Sequence, residues 1–221
     1  MKIVAEALLK FACGLLLVGL LIFLPAGTFG YTYGWYFIVL LFAPMLAVGF
    51  LMLFKAPDFL KKRLDAKEKQ GAQKGVVAFS GLMFIAGFVV AGLDFRFGWS
   101  TMPTWVVITA SVLFLVAYAL YAEVMRENAY LSRTIKVEEG QTVVDTGMYG
   151  VIRHPMYAVT ILLFLMIPLV LGSWYALIAF AFYPALIVVR LKDEEALLTR
   201  ELPGYTAYKQ KVKHRIIPFV W

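Results

Sequence analysis

The sequence predicts an all-α, polytopic membrane protein. It has six transmembrane helices, the last two forming a helical hairpin, with both termini on the cytoplasmic side. Three observations carry this reading. Of 221 residues, 62% are hydrophobic and only 16% are charged, where a soluble domain carries about 25% charged and 45–50% apolar residues. Mean hydropathy is +0.80. Apolar runs recur at the length of a bilayer crossing, and basic residues collect in alternate loops between them. This excludes disorder, a collagen-like or disulfide-rich chain, and a water-soluble globule. The single cysteine, Cys13, allows no intrachain disulfide. The net charge of +7 reports topology on such a chain, not nucleic-acid binding.

The runs follow in order. Val4–Leu24 is interrupted only by Glu6 and Lys10. It lacks a small-residue cleavage site and is expected to be a span, not a removed signal peptide. Trp35–Phe54 is uncharged, with Pro44 as an expected kink. Gly75–Leu93 and Thr104–Ala122 are also uncharged. Met156–Val189 then runs for 34 residues without a charge, far too long for one crossing. Pro168 and Gly172-Ser173 lie at its middle, so it is expected to double back at Leu171–Trp174. Lys55–Lys74 holds seven Lys and Arg, Glu123–Arg153 four, and Arg190–Trp221 seven, while Pro25–Gly34 holds none and Asp94–Pro103 one. Five spans would put basic segments on opposite sides of the membrane, whereas six do not. Two portions are expected: a four-helix membrane portion, 1–122, and a polar, site-bearing portion, 123–221.

No Asp, Glu, Lys, Arg or His lies mid-span, which argues against a pump or ion-coupled transporter. The polar residues concentrate in Glu123–Tyr157 and Arg190–Trp221. The hairpin between these stretches should bring them out together at one membrane face. Thr134–Val137 and Gln141–Val144, on either side of Glu138-Glu139-Gly140, predict an extended or hairpin-like segment. Asp145–Tyr149 reads as a turn. Pro155 suits the first turn of a helix, whose free N–H groups favour an anion. Arg190–Leu198 should continue the last span into water until Pro203-Gly204. Tyr205, Tyr208 and Val212, interleaved with Lys209 and Lys211 and followed by Lys213, predict a short helix lying in the interface.

Gly147-x-Tyr149-x-x-x-Arg153-His154-Pro155-x-Tyr157, the apolar hairpin, Arg190-x-x-x-Glu194-Glu195 and a closing Gly204-Tyr205-x-x-Tyr208 together resemble the isoprenylcysteine carboxyl methyltransferase family. Phospholipid N-methyltransferases share much of the pattern. The resemblance covers residues 123–221, and Glu201–Tyr205 through Ile217-Pro218 is similar to bacterial members. It implies S-adenosylmethionine as cofactor. Gln141, Thr142, Val143, Val144 and Tyr149 would line it, and His154, Pro155, Met156 and Tyr157 would wrap it at the helix start. Glu194 and Glu195 would contribute to its binding, Glu194 accepting hydrogen bonds from its polar groups. Arg190 would face the substrate, with Arg190 and Glu194 as the catalytic pair. Val159 departs from the family, many of whose members carry Gly there.

The resemblance further implies a lipophilic or prenylated substrate, most directly the carboxylate of a prenylcysteine-like molecule, in a bacterial inner membrane with the site facing the cytoplasm. Membrane lipid is the other expected partner, and no nucleic acid. Alternatives are a phospholipid amine N-methyltransferase, a sterol-type membrane reductase using NADPH, or a non-enzymatic scaffold or passive channel. Two histidines and one cysteine offer no zinc set, so no metal is expected. No dinucleotide fingerprint follows a strand. His214 and the Lys61-Lys62-Arg63 cluster read as headgroup contacts, Glu123 and Glu127 as a helix face, and Cys13 as packing.

Overall fold

The computed structural model of the chain describes residues 2–57, 60–61, 71–131 and 137–221. Among these the secondary structure is entirely helical, with no strand. The helices are α1 (Lys2–Ala26), α2 (Thr32–Lys55), α3 (Gly71–Phe97), α4 (Thr104–Glu127), α5 (Pro155–Val170), α6 (Trp174–Phe180), α7 (Tyr183–Glu201) and α8 (Tyr205–Lys211), with a 3-10 turn at Gly147–Gly150. Four of the expected apolar runs are α1 to α4, and each is long and apolar enough to cross a bilayer. Trp174–Glu201 makes a fifth such stretch, and Pro155–Val170 is apolar but shorter. Lys62, Arg63 and Thr134–Lys136 lie outside the described residues.

The doubling-back falls where Gly172-Ser173 places it. Gly172 has φ +74°, and a Cβ there would come 2.8 Å from the Tyr33 ring. The Ser173 N–H donates to the Pro168 carbonyl at 3.0 Å and the Gly172 N–H to the Leu169 carbonyl at 3.1 Å, the paired bonds of a glycine-terminated helix end. Ser173 then caps α6, its Oγ accepting from the Ala176 N–H at 3.0 Å. The return arm is broken between α6 and α7, which the sequence reading did not anticipate. Pro184 follows immediately inside α7 and has no N–H to offer the Phe180 carbonyl one turn back.

The core joins all the long helices. α4 packs along α5, α1 along α3, and α3 against α6. Phe84 meets Phe164 edge-on at 4.8 Å and Phe180 at 5.4 Å, and Phe164 meets Tyr183 at 4.7 Å. Each such pair adds about 0.5–1.5 kcal/mol beyond burial. Leu16, Leu20 and Leu24 of α1, Val39 and Phe50 of α2, and Ile108 and Val112 of α4 are exposed. An outward apolar band of this kind is what a lipid-facing surface requires.

Polar ties hold α3 at both ends. Near its start Gln73, fully buried, donates to Asp193 Oδ2 of α7 at 2.7 Å. Near its end Asp94, also buried, accepts from the Ser100 N–H at 2.7 Å, the Ser100 hydroxyl at 2.7 Å and the Ser173 hydroxyl at 2.5 Å. Tyr31 donates to the Leu171 carbonyl. The hairpin turn is thus hydrogen-bonded to the far end of α3, about 32 Å from Gln73 at the helical rise.

The extended segment expected around Gly140 forms no ladder among the described residues. Instead Glu138 and Gln141 close a turn: the Gln141 N–H donates to the Glu138 carbonyl at 3.1 Å and Gln141 Oε1 accepts from the Glu138 N–H at 2.9 Å. Gly140 takes φ +71° there. Val143 packs instead on the buried cluster of Leu202, Tyr205, Tyr208 and Val212. The stripe read as an interfacial helix face therefore faces inward.

Small residues set the spacing of α1 and α3, as they do between membrane helices generally. A Cβ on Gly92 would lie 2.5 Å from the Ile22 carbonyl oxygen and 3.1 Å from the Ala26 nitrogen, both backbone atoms. Gly92→Ala is expected to destabilise the protein by about 1–3 kcal/mol, read as a lower unfolding midpoint in detergent. Gly19→Ala, where an added Cβ meets nothing within 4 Å, serves as the neutral control.

Candidate active site

Two clusters of polar residues meet at one end of the bundle. The first is a buried corner at the start of α5. Arg153 Nε donates to Glu195 Oε1 at 2.7 Å, with 6% of each side chain exposed. His154 Nε2 lies 3.3 Å from the same oxygen. An ionised carboxylate only accepts, so that nitrogen carries the proton. Arg215 Nε donates to Glu195 Oε2 at 3.1 Å. Arg153 also donates from Nη1 to the Val212 and Lys213 carbonyls, at 2.7 and 2.9 Å. The backbone N–H groups of Arg153 and His154 donate to the His214 and Arg215 carbonyls, each at 2.9 Å. The chain after α8 is thereby fastened across the entrance to α5.

The second cluster lies on the neighbouring face of α7. Arg190, Glu194 and Leu198, four residues apart, line a cavity with Tyr157 and Met156 of α5. Tyr157 donates its hydroxyl to Glu194 Oε2 and accepts from Arg190 Nε at 3.1 Å. Arg190 Nη1 donates to Gln73 Oε1 at 3.3 Å. A cation, a phenol and a carboxylate are thus held in a chain beside open space.

The remaining walls come from Asn128, Tyr130 and Leu131 after α4, from Gln141–Val144, and from Tyr149, Leu202, Tyr205 and Tyr208. Gly147 shapes this wall. Its φ is +49°, and a Cβ would come 1.3 Å from Glu127 Oε1, on the carboxylate whose Oε2 accepts from the Met148 N–H at 3.1 Å. Asn128 Nδ2 donates to the Tyr149 hydroxyl at 3.0 Å, and the Tyr208 hydroxyl donates to the Tyr149 carbonyl at 2.7 Å. Burial pushes the Tyr149 phenol above its ordinary range. The Asn128 hydrogen bond opposes this, and the negative charges of Glu194 and Glu127 add to it. Burial first, then neighbouring carboxylates, push Tyr205 up too. Both remain neutral hydroxyls at physiological pH.

The cavity is narrow, with about 90 Å³ of space inside it, and it opens to solvent at its mouth. Tyr205 lines it, and its hydroxyl is buried with no hydrogen-bond partner among the described residues. Such a group is ordinarily satisfied. Together with the Glu194 acceptor and the Arg190 donor, it fits a ligand that is polar at several points.

Of the residues expected from sequence, Gln141, Thr142, Val143, Val144, Tyr149, His154, Met156, Tyr157, Arg190 and Glu194 all line this cavity. Two expected residues do not. Pro155 is buried at the first turn of α5. Glu195 points to the other side of α7, where it holds the Arg153 corner. Asn128, Tyr130, Leu131, Arg153, Leu198 and Leu202 also line the cavity and are not among the expected site residues. Tyr205 and Tyr208 belong to the closing motif, but their spacing was read as an interfacial stripe. Nothing in the sequence singles out Gln73.

Residues 103–200 match the isoprenylcysteine carboxyl methyltransferase (ICMT) family. The match covers less than half of the chain, but it takes in α4, α5, α6 and nearly all of α7. An uncharacterized protein of Bacillus subtilis (strain 168), YpbQ, is 31% identical over 96 residues, which are 43% of this chain and 57% of that protein. The chain thus spans little more than half the length of that relative. Within the ICMT segment lie every cavity residue contributed by α5 and α7 and the Gln141–Val144 wall. Leu202, Tyr205, Tyr208 and Gln73 fall outside it.

The two adjacent glutamates should separate in their effects. Glu195→Ala leaves Arg153 buried without its counter-charge and is expected to destabilise the fold by about 3–5 kcal/mol. Proteolysis of the chain after α8 should accelerate in parallel. Glu194→Ala, at the cavity wall, is expected to shift the unfolding midpoint far less.

Proposed function

We propose that the protein is an integral-membrane, S-adenosylmethionine-dependent methyltransferase that acts on a lipophilic carboxylate, of which a prenylcysteine-like molecule is the leading case. The single observation that carries this reading is the juxtaposition of Arg190, Tyr157 and Glu194 at the Gln141–Val144 wall, inside the segment matching the ICMT family. The cofactor would supply a methyl group on a positively charged sulfur. Glu194, the Tyr205 hydroxyl and the backbone of Gln141–Val144 are the groups that would hold its polar ends.

The residue types suit this chemistry. Methyl transfer needs an acceptor aligned in line with the donor, in a site with little water. A carboxylate is already ionised at neutral pH, so no general base is required. The Arg190 guanidinium can hold a carboxylate through two parallel N–H donors. Tyr157, donating to Glu194 and accepting from Arg190, keeps the two charges apart and oriented. An amine acceptor would first have to lose a proton; His154 already serves Glu195.

In this reading the chain crosses the membrane six times. α5, at about 24 Å, makes one short crossing, and α6 with α7 make the return. The basic segments then put both termini and the cavity on the cytoplasmic side of a bacterial inner membrane. Residues 1–122 supply the lipid-facing wall, and residues 123–221 supply the cofactor site. A lipid-borne substrate enters sideways between helices.

The test is calorimetric binding of S-adenosylmethionine to the purified protein, with transfer of tritiated methyl to lipid and peptide extracts as the second readout. Glu194→Gln is expected to weaken cofactor binding by about 10–100-fold, the range of a lost charge-assisted hydrogen bond. Arg190→Gln is expected to leave cofactor affinity within about threefold and to abolish transfer, because it removes the carboxylate clamp. Binding of NADPH with none of S-adenosylmethionine overturns the proposal in favour of a reductase. Label recovered on a phospholipid amine reassigns the acceptor.

A further inference from the structure

α7 presents a second face away from the cavity. Lys192, Glu195, Ala196 and Thr199 lie along it, and with Arg200, Lys209 of α8 and Arg215 they line a shallow surface recess, wide open to solvent. Four of these seven residues are cations and one is an acid. That acid is already committed: Oε1 of Glu195 serves Arg153 and His154, and Oε2 serves Arg215. Lys209 Nζ donates to Thr199 Oγ1 at 3.4 Å, which turns its ammonium toward the recess wall. Arg200 pairs with Glu201 at 2.6 Å in an exposed ion pair, which contributes little.

The cations come from three separate stretches of chain, α7, α8 and the segment after it. That convergence distinguishes the recess from a row of basic residues marking one helix end. A shallow site lined by several Lys and Arg matches a compact, multiply acceptor-bearing anion. A planar carboxylate would need only one guanidinium. Four cations from three stretches of chain, of which Arg200 and Arg215 are also paired with Glu201 and Glu195, suit a tetrahedral phosphate.

We propose that this recess is a phosphate-binding site, occupied either by the headgroup of an anionic phospholipid or by a soluble phosphate compound. The site is distinct from the cavity and does not rest on the methyltransferase reading. The two share the walls formed by α7 and α8. A failure of cofactor binding would leave this proposal standing, and the reverse also holds.

The full-length protein is reconstituted in nanodiscs of phosphatidylcholine and its unfolding midpoint is followed. One arm titrates inorganic phosphate against chloride at matched ionic strength. The other replaces part of the lipid by phosphatidic acid or phosphatidylglycerol. Stabilisation in the first arm identifies a soluble phosphate ligand, and stabilisation in the second arm alone identifies a headgroup. Either response is expected to weaken on the order of a hundredfold in apparent affinity in Lys192→Gln/Arg200→Gln/Lys209→Gln, and roughly fivefold in each single variant. Arg215 is left intact because it also holds Glu195. The single variants decide the matter if the triple variant folds poorly. No stabilisation in either arm, or an equal response in wild type and the single variants, overturns the proposal.

Discussion

The carboxylate of Glu195 gathers two guanidinium groups and an imidazole at a point where only 6% of its side chain reaches solvent. Removing such charges from water costs several kcal/mol per ion, and the loss is recovered only when the remaining donors and acceptors are also used. Here they are. Both carboxylate oxygens are taken, and Arg153 donates twice more, to backbone carbonyls of the closing segment. That segment in turn accepts the N–H groups of Arg153 and His154, which precede Pro155 and have no place in the helical ladder. The start of α5, the middle of α7 and the residues beyond α8 are therefore one unit. Loosening any of them would displace Tyr157 and Met156, which follow Pro155 directly into the cavity.

The same helix thereby performs two tasks on two faces. Successive residues on a helix point about 100° apart, so the adjacent Glu194 and Glu195 cannot share a role. Glu194 faces Tyr157 and the open space, while Glu195 faces the corner. The hydroxyl of Tyr157 lies between Arg190 and Glu194 and hydrogen-bonds both. The cation and the carboxylate therefore stay oriented toward the cavity. This is the kind of fixed polar arrangement that loses least to reorganisation when a charged ligand arrives.

How much of this could be read from the sequence varied with the physical signal. The long helices were legible because burial in lipid demands unbroken apolar runs, and the turn at Gly172 because a positive φ favours glycine. Most of the cavity lining was legible through the motif around Arg153–Tyr157 and Arg190–Glu194, which the hairpin brings together. Three features were not. The break before Tyr183 turns on one proline in an otherwise apolar run. The inward packing of Tyr205 and Tyr208 has the same spacing as an interfacial stripe, because periodicity names a face but not its partner. The role of Glu195 was hidden by its neighbour, since two consecutive acids carry no mark of which one is buried.

Gln73 shows why the matched segment does not describe the site by itself. It lies some thirty residues before that segment, in a stretch whose sequence reads only as basic loop. Yet it is fully buried and bridges Arg190 Nη1 and Asp193 Oδ2. An amide suits this position because its oxygen accepts from the guanidinium while its nitrogen donates to the carboxylate. A carboxylate there would face Asp193 with like charge, and a lysine would face Arg190. The orientation of the cavity's one α7 cation thus depends on where α3 begins. At its other end α3 is pinned to the hairpin turn through Asp94 and Ser173. The apolar half of the chain, which carries no recognisable motif, is held at both ends of α3 by polar contacts with the matched segment. The placement of Arg190 in the cavity wall therefore depends on both halves of the chain.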